Sequence, residues 1–236
     1  GLRVRCGQRR AAACDDEKRL VESELVRDSV RVLSKLPSPG TIEAMFEGYK
    51  SEKSDVVRVG ILRAVGQGKY DGASALAQVA LTDKSWEVRR HALMVIEAGK
   101  DPAAAAACLP LLDDAEPAVR GQALETMTAL GVESMIPKDC TLLNDSVWQV
   151  RASAIRALTK IRRLEAIQPL VDRLQVEEGV LVPQIVEALA NLTGLELVEA
   201  AAWKTWWDAN KTNYVLPKDE AIAYLRGKRD ATTGKP

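Results

Sequence analysis

The chain has 236 residues, enough for one large domain or two small ones, and its 33 Lys and Arg residues balance 33 Asp and Glu residues. The zero net charge excludes the overall basic character that binding to nucleic acid or an anionic membrane usually requires. A hydrophobic content of 47% excludes disorder over most of the length, and no stretch approaches the ~20 apolar residues of a membrane-spanning helix, so we expect a soluble, folded protein.

The N-terminal segment, residues 1–16, is predicted to be disordered. Residues 11–14 contain the small residues of a lipoprotein cleavage site, but arginines precede them where a signal peptide needs an apolar stretch. We therefore predict no signal peptide in the chain as given. The localisation stays open between the cytoplasm, which is favoured, and an exported mature form.

A repeat of 31 residues follows, marked by Val57-Arg58, Val88-Arg89, Val119-Arg120 and Val150-Arg151. Apolar residues stand four, five and eight positions after each of these valines, a spacing that places them on one face of a helix, helix A. The pattern continues without the arginine at Leu181-Val182, which predicts a further A helix from about Leu181 to Leu192.

A second apolar column shows that each repeat also has a second helix, helix B; it consists of Leu81, Leu112, Leu143 and Leu174. Glycines, among them Gly99 and Gly131, separate the two helices as C-caps would. A degenerate first unit has helix A around Leu25 to Leu36 and helix B from Thr41 to Lys50. The pattern predicts an all-α solenoid of about six helical hairpins over residues 17–212, with a tail over residues 213–236 that holds one short helix between Pro217 and Arg226 and a disordered end.

This pattern, an Asp followed by Val-Arg and then Ala-Leu at helical offsets, resembles the HEAT repeat in its short bacterial form, the PBS-lyase-type HEAT-like repeat. The resemblance implies an armadillo-like superhelix with the A helices on the convex face and the B helices on the concave face. Stacking is also physically required, because a two-helix unit of this size cannot bury its apolar stripe alone.

The arginine column (Arg58, Arg89, Arg120 and Arg151) has the chemistry of a phosphate site. We favour a structural ladder instead, because Asp83, Asp114 and Asp145 recur with the same period. In HEAT proteins, side chains at such positions resemble a ladder that joins neighbouring repeats.

The sequence offers no catalytic set, no metal site and no cofactor site. The only histidine, His91, falls in a polar column and is predicted to be solvated. Cys140 shares a column with apolar residues and is predicted to be a core residue, whereas the place of Cys108 is open.

Five tryptophans form two groups. Trp86 and Trp148 occupy the same column two repeats apart; they either cover the adjoining turns or bind a partner. Trp203, Trp206 and Trp207 follow Leu192-Thr193-Gly194, and this ending resembles the C-terminal cap of bacterial HEAT-like proteins. We expect their rings to close the exposed apolar end of the last repeat.

The charge distribution favours a protein partner. The A segments are net positive and the B segments net negative, so the concave face is predicted to be acidic, with Asp139, Glu165 and Asp172 as candidate contacts for a basic or neutral peptide or protein. We expect a non-catalytic interaction or scaffold module that is a monomer and binds neither membrane nor nucleic acid. The alternatives are a phycobilin-lyase-like or lyase-associated subunit, and nucleic-acid binding by the convex face.

Overall fold

The computed structural model describes residues 39–68, 70–132 and 140–218, together with Asp28, Val32 and Lys35. Every regular element in these ranges is helical, as the repeat pattern predicts. The predictions for residues 1–16, for most of the helix from Leu25 to Leu36 and for the tail after Lys218 lie outside the described residues.

The described residues contain α-helices that alternate with short turns and 3-10 segments. They are α1 (Pro39–Ser51), α2 (Asp55–Gly68), α3 (Ala73–Ala80), α4 (Trp86–Gly99), α5 (Ala105–Cys108), α6 (Pro117–Ala129), α7 (Trp148–Ile161), α8 (Ile167–Leu174), α9 (Val182–Thr193) and α10 (Ala200–Asn210). The A helices are α2, α4, α6, α7 and α9. The 3-10 segments are Pro102–Ala104, Leu109–Asp113, Leu164–Ala166 and Gly179–Leu181.

The chain divides into two compact units, Gly1–Leu111 and Leu112–Pro236. In the first unit α2 packs against α1, α3 and α4, and α3 packs against α4. In the second unit α7 packs against α6 and α9, and α8 packs against α9 and α10. Each unit therefore stacks consecutive helical hairpins, the packing of an α-solenoid. The boundaries predicted at residues 17, 212 and 213 remain predictions.

The apolar stripe of the A helices forms the core. Its members in α4, α6 and α7 are buried, and so is the B column; they are Val88, Ala92, Leu93, Ile96, Val119, Ala123, Leu124, Met127, Val150, Ala154, Ile155, Leu158, Leu81, Leu112, Leu143 and Leu174. In α2 the same stripe is only partly buried, because Val57 and Ile61 retain some exposure whereas Leu62 and Val65 have none.

The B segment that ends near Leu112 departs from the prediction of a single second helix in each repeat. It is divided into Pro102–Ala104, α5 and Leu109–Asp113, because Pro110 lacks an N–H and its ring clashes with the preceding turn. The prediction that Cys140 is a core residue is wrong, because Cys140 is partly exposed; Cys108, whose place the sequence left open, is fully buried. The buried column in the B helices runs through Ala77, Cys108 and Leu170, and Leu109, which shares the Cys140 column, is exposed.

The A helices end in left-handed residues that also repeat every 31 positions. Gly131 has φ of 71°, as a glycine C-cap should, but the equivalent positions are Lys100, with φ of 50°, and Arg162, with φ of 51°. The predicted C-cap at Gly99 is therefore displaced by one residue. Side chains with a Cβ are strained in this conformation.

We expect Lys100→Gly to raise the free energy of unfolding by about 0.5–1 kcal/mol, since removing the Cβ relieves left-handed strain of roughly 1–2 kcal/mol at the cost of added chain entropy. The side chain is exposed and leaves no cavity. Urea unfolding followed by circular dichroism measures the change. The matched control is Lys84→Gly, at an exposed position without a positive φ; equal stabilisation there would contradict the assignment of strain to Lys100.

Candidate functional site

The arginine column lies where each A helix meets the turn before it. In the first unit Arg58 forms a bidentate pair with Asp83, with Nε–Oδ2 of 2.8 Å and Nη2–Oδ1 of 3.0 Å. Its Nη1 donates to the carbonyl oxygens of Glu52 and Lys53. Tyr49 Oη donates to Asp83 Oδ2 at 2.7 Å. One guanidinium thus joins its own helix start to the acid 25 residues later.

The second unit repeats this arrangement twice. Arg120 pairs with both carboxylate oxygens of Asp145, at 2.8 and 2.9 Å, and donates to the carbonyls of Asp114 and Ala115. Arg151 donates in the same way to the carbonyls of Asp145 and Ser146, but its carboxylate partner is Glu177, at 2.9 Å from both nitrogens. Glu177 also accepts from Arg173 Nε at 2.7 Å.

The aspartates of the column have a second, local function. Oδ1 of Asp83 accepts from the amide of Ser85, Asp114 from Glu116, and Asp145 from Val147. Each bond closes the turn that starts the next A helix. Arg89 donates to the carbonyls of Asp83 and Lys84, so it binds the start of its own helix as the other three arginines of the column do.

The sequence analysis missed three residues that take part in the arginine–carboxylate ladder: Tyr49, Arg173 and Glu177. Tyr49 precedes the first regular repeat and carries no periodic signal. Glu177 stands 26 residues after Arg151 instead of 25, and the extra methylene of glutamate compensates for the one-residue shift. Glu177 could have been found from the sequence by accepting either Asp or Glu within one position of the next member of the aspartate column.

Burial and hydrogen bonding act in opposite directions on the ladder carboxylates. Burial by itself raises the pKa of Asp83, but donors from Ser85, Arg58 and Tyr49 outweigh it and lower that pKa. Likewise, burial raises the pKa of Asp145 and Glu177, and their arginine partners lower it below the ordinary value. The charged forms are therefore stabilised in the folded chain.

We expect the folded chain to lose stability as the pH falls below the ordinary carboxylate pKa of about 4. A lowered folded pKa contributes stability above the unfolded value, and that contribution is lost as the pH falls through the folded pKa. Urea unfolding at pH 7, 5, 4 and 3 measures this. Asp145→Asn should flatten the decline relative to wild type, with Asp172→Asn as the matched change at an exposed acid; an unchanged slope in Asp145→Asn would contradict the role of the ladder.

We expect Glu177→Asp to destabilise the second unit by about 1.5–3 kcal/mol, the cost of weakening hydrogen bonds between charged groups in a nearly buried site. The shorter side chain withdraws its carboxylate from both Arg151 and Arg173. Urea unfolding measures the loss, and Glu178→Asp is the matched control because Glu178 is exposed. Equal effects would show that the distance between carboxylate and guanidinium is unimportant.

The residues predicted to contact a partner are only partly described. Glu165 and Asp172 are exposed on the B side of the second unit, beside and on α8. Asp172 accepts a hydrogen bond from Gln168. The hydrogen bond to Asp208 raises the pKa of Lys204, and the charge of Asp172 raises it further. Asp139 lies outside the described residues. Trp148 is 48% exposed in the second unit, and Trp86 is partly buried in the first.

His91 is half-buried, so the prediction of a solvated histidine is wrong. Its Nδ1 donates to the carbonyl of Glu87 at 2.8 Å, and burial lowers the pKa of the ring despite this bond. Within the described ranges, no group of three His, Cys, Asp or Glu side chains has the geometry of a metal site, and no helix is long and apolar enough to cross a membrane.

The C-terminal tryptophans lie on α10. Trp203 is fully buried and Trp207 nearly so, and Trp206 is partly exposed. Trp203 Nε1 donates to the carbonyl of Leu197 at 2.7 Å, and Trp206 stacks edge-on against Tyr214 with ring centres 5.0 Å apart. The rings therefore cover the last hairpin of the second unit, the position in which we propose that they act as a cap.

The direction of α10 differs from that of a repeat helix. Gln175, just after α8, donates to the carbonyl of Ala200 at the start of α10, whereas Trp207 near its end donates to Gln168 near the start of α8. The two helices are therefore antiparallel, although B helices of successive HEAT-type repeats would be parallel. Residues 195–199 cross back along the hairpin to make this reversal possible.

A groove of about 360 Å³ separates the A helices α7 and α9. It is lined by Ile155, Arg156, Thr159, Lys160, Gln184, Glu187, Ala188 and Asn191. Arg156 is held at its edge by Glu125 and Ser153. The lining is mixed in character, with an apolar floor and charged rims.

Comparisons with known proteins agree with this architecture. A family model for HEAT repeats matches residues 73–138. No curated protein matches the chain significantly in sequence.

A solved structure gives the same fold at low sequence identity. The YibA protein of Escherichia coli is 18% identical with a TM-score of 0.58, covering 84% of this chain and 73% of its own. An engineered protein is 18% identical with a TM-score of 0.48, covering 72% and 89%. The complex of CpcE and CpcF of phycocyanin lyase from Nostoc sp. PCC7120 is 18% identical with a TM-score of 0.49, covering 89% and 88%. Residues 73–138 therefore match HEAT repeats, and the described residues have an α-solenoid fold.

Proposed function

We propose that the chain is a non-catalytic protein-interaction or scaffold module that binds a basic or neutral partner through the B side of its repeats. The observation that carries the proposal is the contrast between the two sides of the second unit. Arg120 and Arg151 are engaged in nearly buried ion pairs, whereas Glu165 and Asp172 are exposed. Exposed acids steer basic partners toward this side.

The same ion pairs also weaken the phosphate hypothesis for the arginine column, and they withdraw these arginines from nucleic-acid binding by the convex face. A guanidinium that already donates to a carboxylate and two carbonyls would have to give up these bonds to bind a phosphate. Arg58, Arg120 and Arg151 are all held in this way. Duplex DNA should therefore show no retardation by the chain at low salt, where electrostatic binding is strongest.

The competing function is a phycobilin-lyase-like or lyase-associated role. It would require an accessible pocket with a cysteine or acids beside the tetrapyrrole. Cys108 is fully buried, and desolvation raises the pKa of its thiol to about 11, so the reactive thiolate is scarce at neutral pH. The α7–α9 groove has no cysteine among its described lining residues. A colour change on mixing with bilin and an apo-phycobiliprotein would favour this alternative.

Affinity capture from the lysate of the native organism tests the proposal. Wild type is compared with Glu165→Lys/Asp172→Lys and with a control, Glu125→Lys/Glu187→Lys, which makes the same charge change at exposed acids on the A helices α6 and α9 of the second unit. We expect one partner to be retained by wild type and the control and lost by the first variant. Retention by all three would reject the B side as the binding surface.

A further inference from the structure

The B side of the first unit has an exposed face without charged side chains. Residues 72–82 and 102–111, which contain α3 and the B segment after it, include no Asp, Glu, Lys or Arg. The exposed residues of this uncharged face include Ala75, Val79, Ala103, Ala106, Leu109 and Pro110. Val79 is 47% exposed and Leu109 is 42% exposed, although both are large apolar side chains. A contiguous apolar surface of this kind marks an interaction site.

The exposed residues lie in two neighbouring stripes. Ala75 and Val79 are one helical turn apart on α3, and Ala106 and Pro110 stand 31 positions after them in the next B segment. Ser74 Oγ donates to Asp101 Oδ2 at 2.7 Å and joins the starts of the two segments. Gln78 Nε2 donates to Ser74 Oγ, so the polar side chains of α3 are bonded within the face.

The charged groups around the uncharged face nearly balance one another. On the α1 side Glu47 pairs with Lys50, and the start of α1 is close to α3 because a Cβ at Gly72 would lie 3.7 Å from Ile42. The four acids and three lysines of α1 and of the turns that flank the two segments are Glu43, Glu47, Asp71, Asp101, Lys50, Lys84 and Lys100. The face therefore favours a partner surface that is apolar and without net charge.

The size of the face favours a single helix as the occupant. Two neighbouring segments of this length cover roughly 16 Å by 20 Å, or about 300 Å². A second copy of the chain placed on it by symmetry would bury only about 600 Å² in total, whereas stable interfaces bury about 1,200 Å² or more. A helix about 10 Å wide fits along the line between the two stripes. At one end the small side chains of Ala75, Ala103 and Ala106 leave room for larger ones on that helix.

We propose that the uncharged face binds the apolar stripe of an amphipathic helix from a partner protein. Aliphatic side chains spaced three or four residues apart pack over the alanines and between Val79 and Leu109. A charged side chain in that stripe would be buried without a counterion, so the face rejects it. Such binding rests on the proposed function, since both place a partner on the B side of the repeats, and it assigns the first unit the apolar part of the contact.

Binding of a synthetic helix to the full chain, followed by fluorescence anisotropy, tests the proposal. The probe is a dye-labelled, stapled peptide of about 15 residues, with leucines at helical spacing on one face and glutamines on the other. We expect saturable binding with a Kd of about 10–500 µM, since the contact area is small. Val79→Asp and Leu109→Asp should each weaken binding at least fivefold. Met94→Asp is the matched control at a side chain that is 43% exposed on the A helix α4 of the same unit, and it should change the Kd less than twofold.

A second peptide of the same composition, with its leucines distributed around the helix, measures nonspecific apolar binding. Equal affinity for the two peptides would overturn the proposal, and so would equal weakening by Met94→Asp. Sedimentation that shows a dimer sensitive to Val79→Asp would assign the face to a second copy instead. Circular dichroism checks that each variant keeps its helix content. If capture with the Glu165→Lys/Asp172→Lys variant supports the proposed function but neither peptide binds, the apolar helix is rejected and the proposed function stands.

Discussion

Leu124→Asp is expected to unfold most of the second unit, at a cost of about 4 kcal/mol or more. Leu124 is 0% exposed in α6, the helix that packs against α7. A carboxylate at this position would be buried without a cation or a donor, and the whole stability of a domain is only about 5–15 kcal/mol. Circular dichroism melting and limited trypsin digestion would show the loss of helices from the second unit.

The matched control is Leu109→Asp, because Leu109 is 42% exposed. We expect it to cost less than about 1 kcal/mol, as surface substitutions usually do. His91→Ala should also be mild, costing up to about 1 kcal/mol through its single bond to Glu87. Equal effects of Leu124→Asp and Leu109→Asp would contradict the assignment of the buried face.

The A-helix core could be predicted because it depends on local spacing. A valine followed by apolar residues at four, five and eight positions marks one face of a helix, whatever packs against it. The same argument found the buried leucine column of the B segments but not the rest of their buried face. These segments are short, Pro110 interrupts one of them, and few apolar residues mark the buried face, so Cys140 was assigned to the wrong environment and Cys108 was left open.

The sequence predicted that arginines and aspartates form a ladder, but it did not predict every pair of residues in that ladder. The 31-residue period alone indicates that the positions of Arg58 and Asp83 recur together in the repeats. It does not show how far each side chain extends. Glu177 meets Arg151 because one extra methylene offsets one extra residue in the turn. This compensation depends on the path of the backbone in the turn. A search for identical residues at a fixed spacing contains no information about that path.

The reversal of α10 could not be predicted, because the contacts that fix it are distant in sequence. The bonds from Gln175 to Ala200 and from Trp207 to Gln168 join residues 25 and 39 positions apart. Sequence pattern indicated that large rings close an apolar end, but it contained nothing about the direction in which their helix runs. Helix α10 is therefore not a further B helix of the repeat series.

Trp203→Ala is expected to destabilise the second unit by about 3–5 kcal/mol, the usual cost of emptying the site of a buried large aromatic ring. Trp203 is 0% exposed, and its indole also supplies the donor to Leu197 that holds the crossing segment in place. Urea unfolding followed by circular dichroism measures the loss without relying on tryptophan fluorescence.

Two further variants separate the roles of Trp203. Trp203→Phe keeps most of the ring but removes the N–H, so we expect an intermediate loss of about 1–3 kcal/mol from the orphaned carbonyl of Leu197. Trp148→Ala, at a tryptophan that is 48% exposed, should cost less than about 1 kcal/mol. If Trp203→Ala were as mild as Trp148→Ala, the tryptophans of α10 would not act as a cap. Trp206, which is partly exposed, would then be the residue to test for binding, because packing would not account for the three tryptophans of α10.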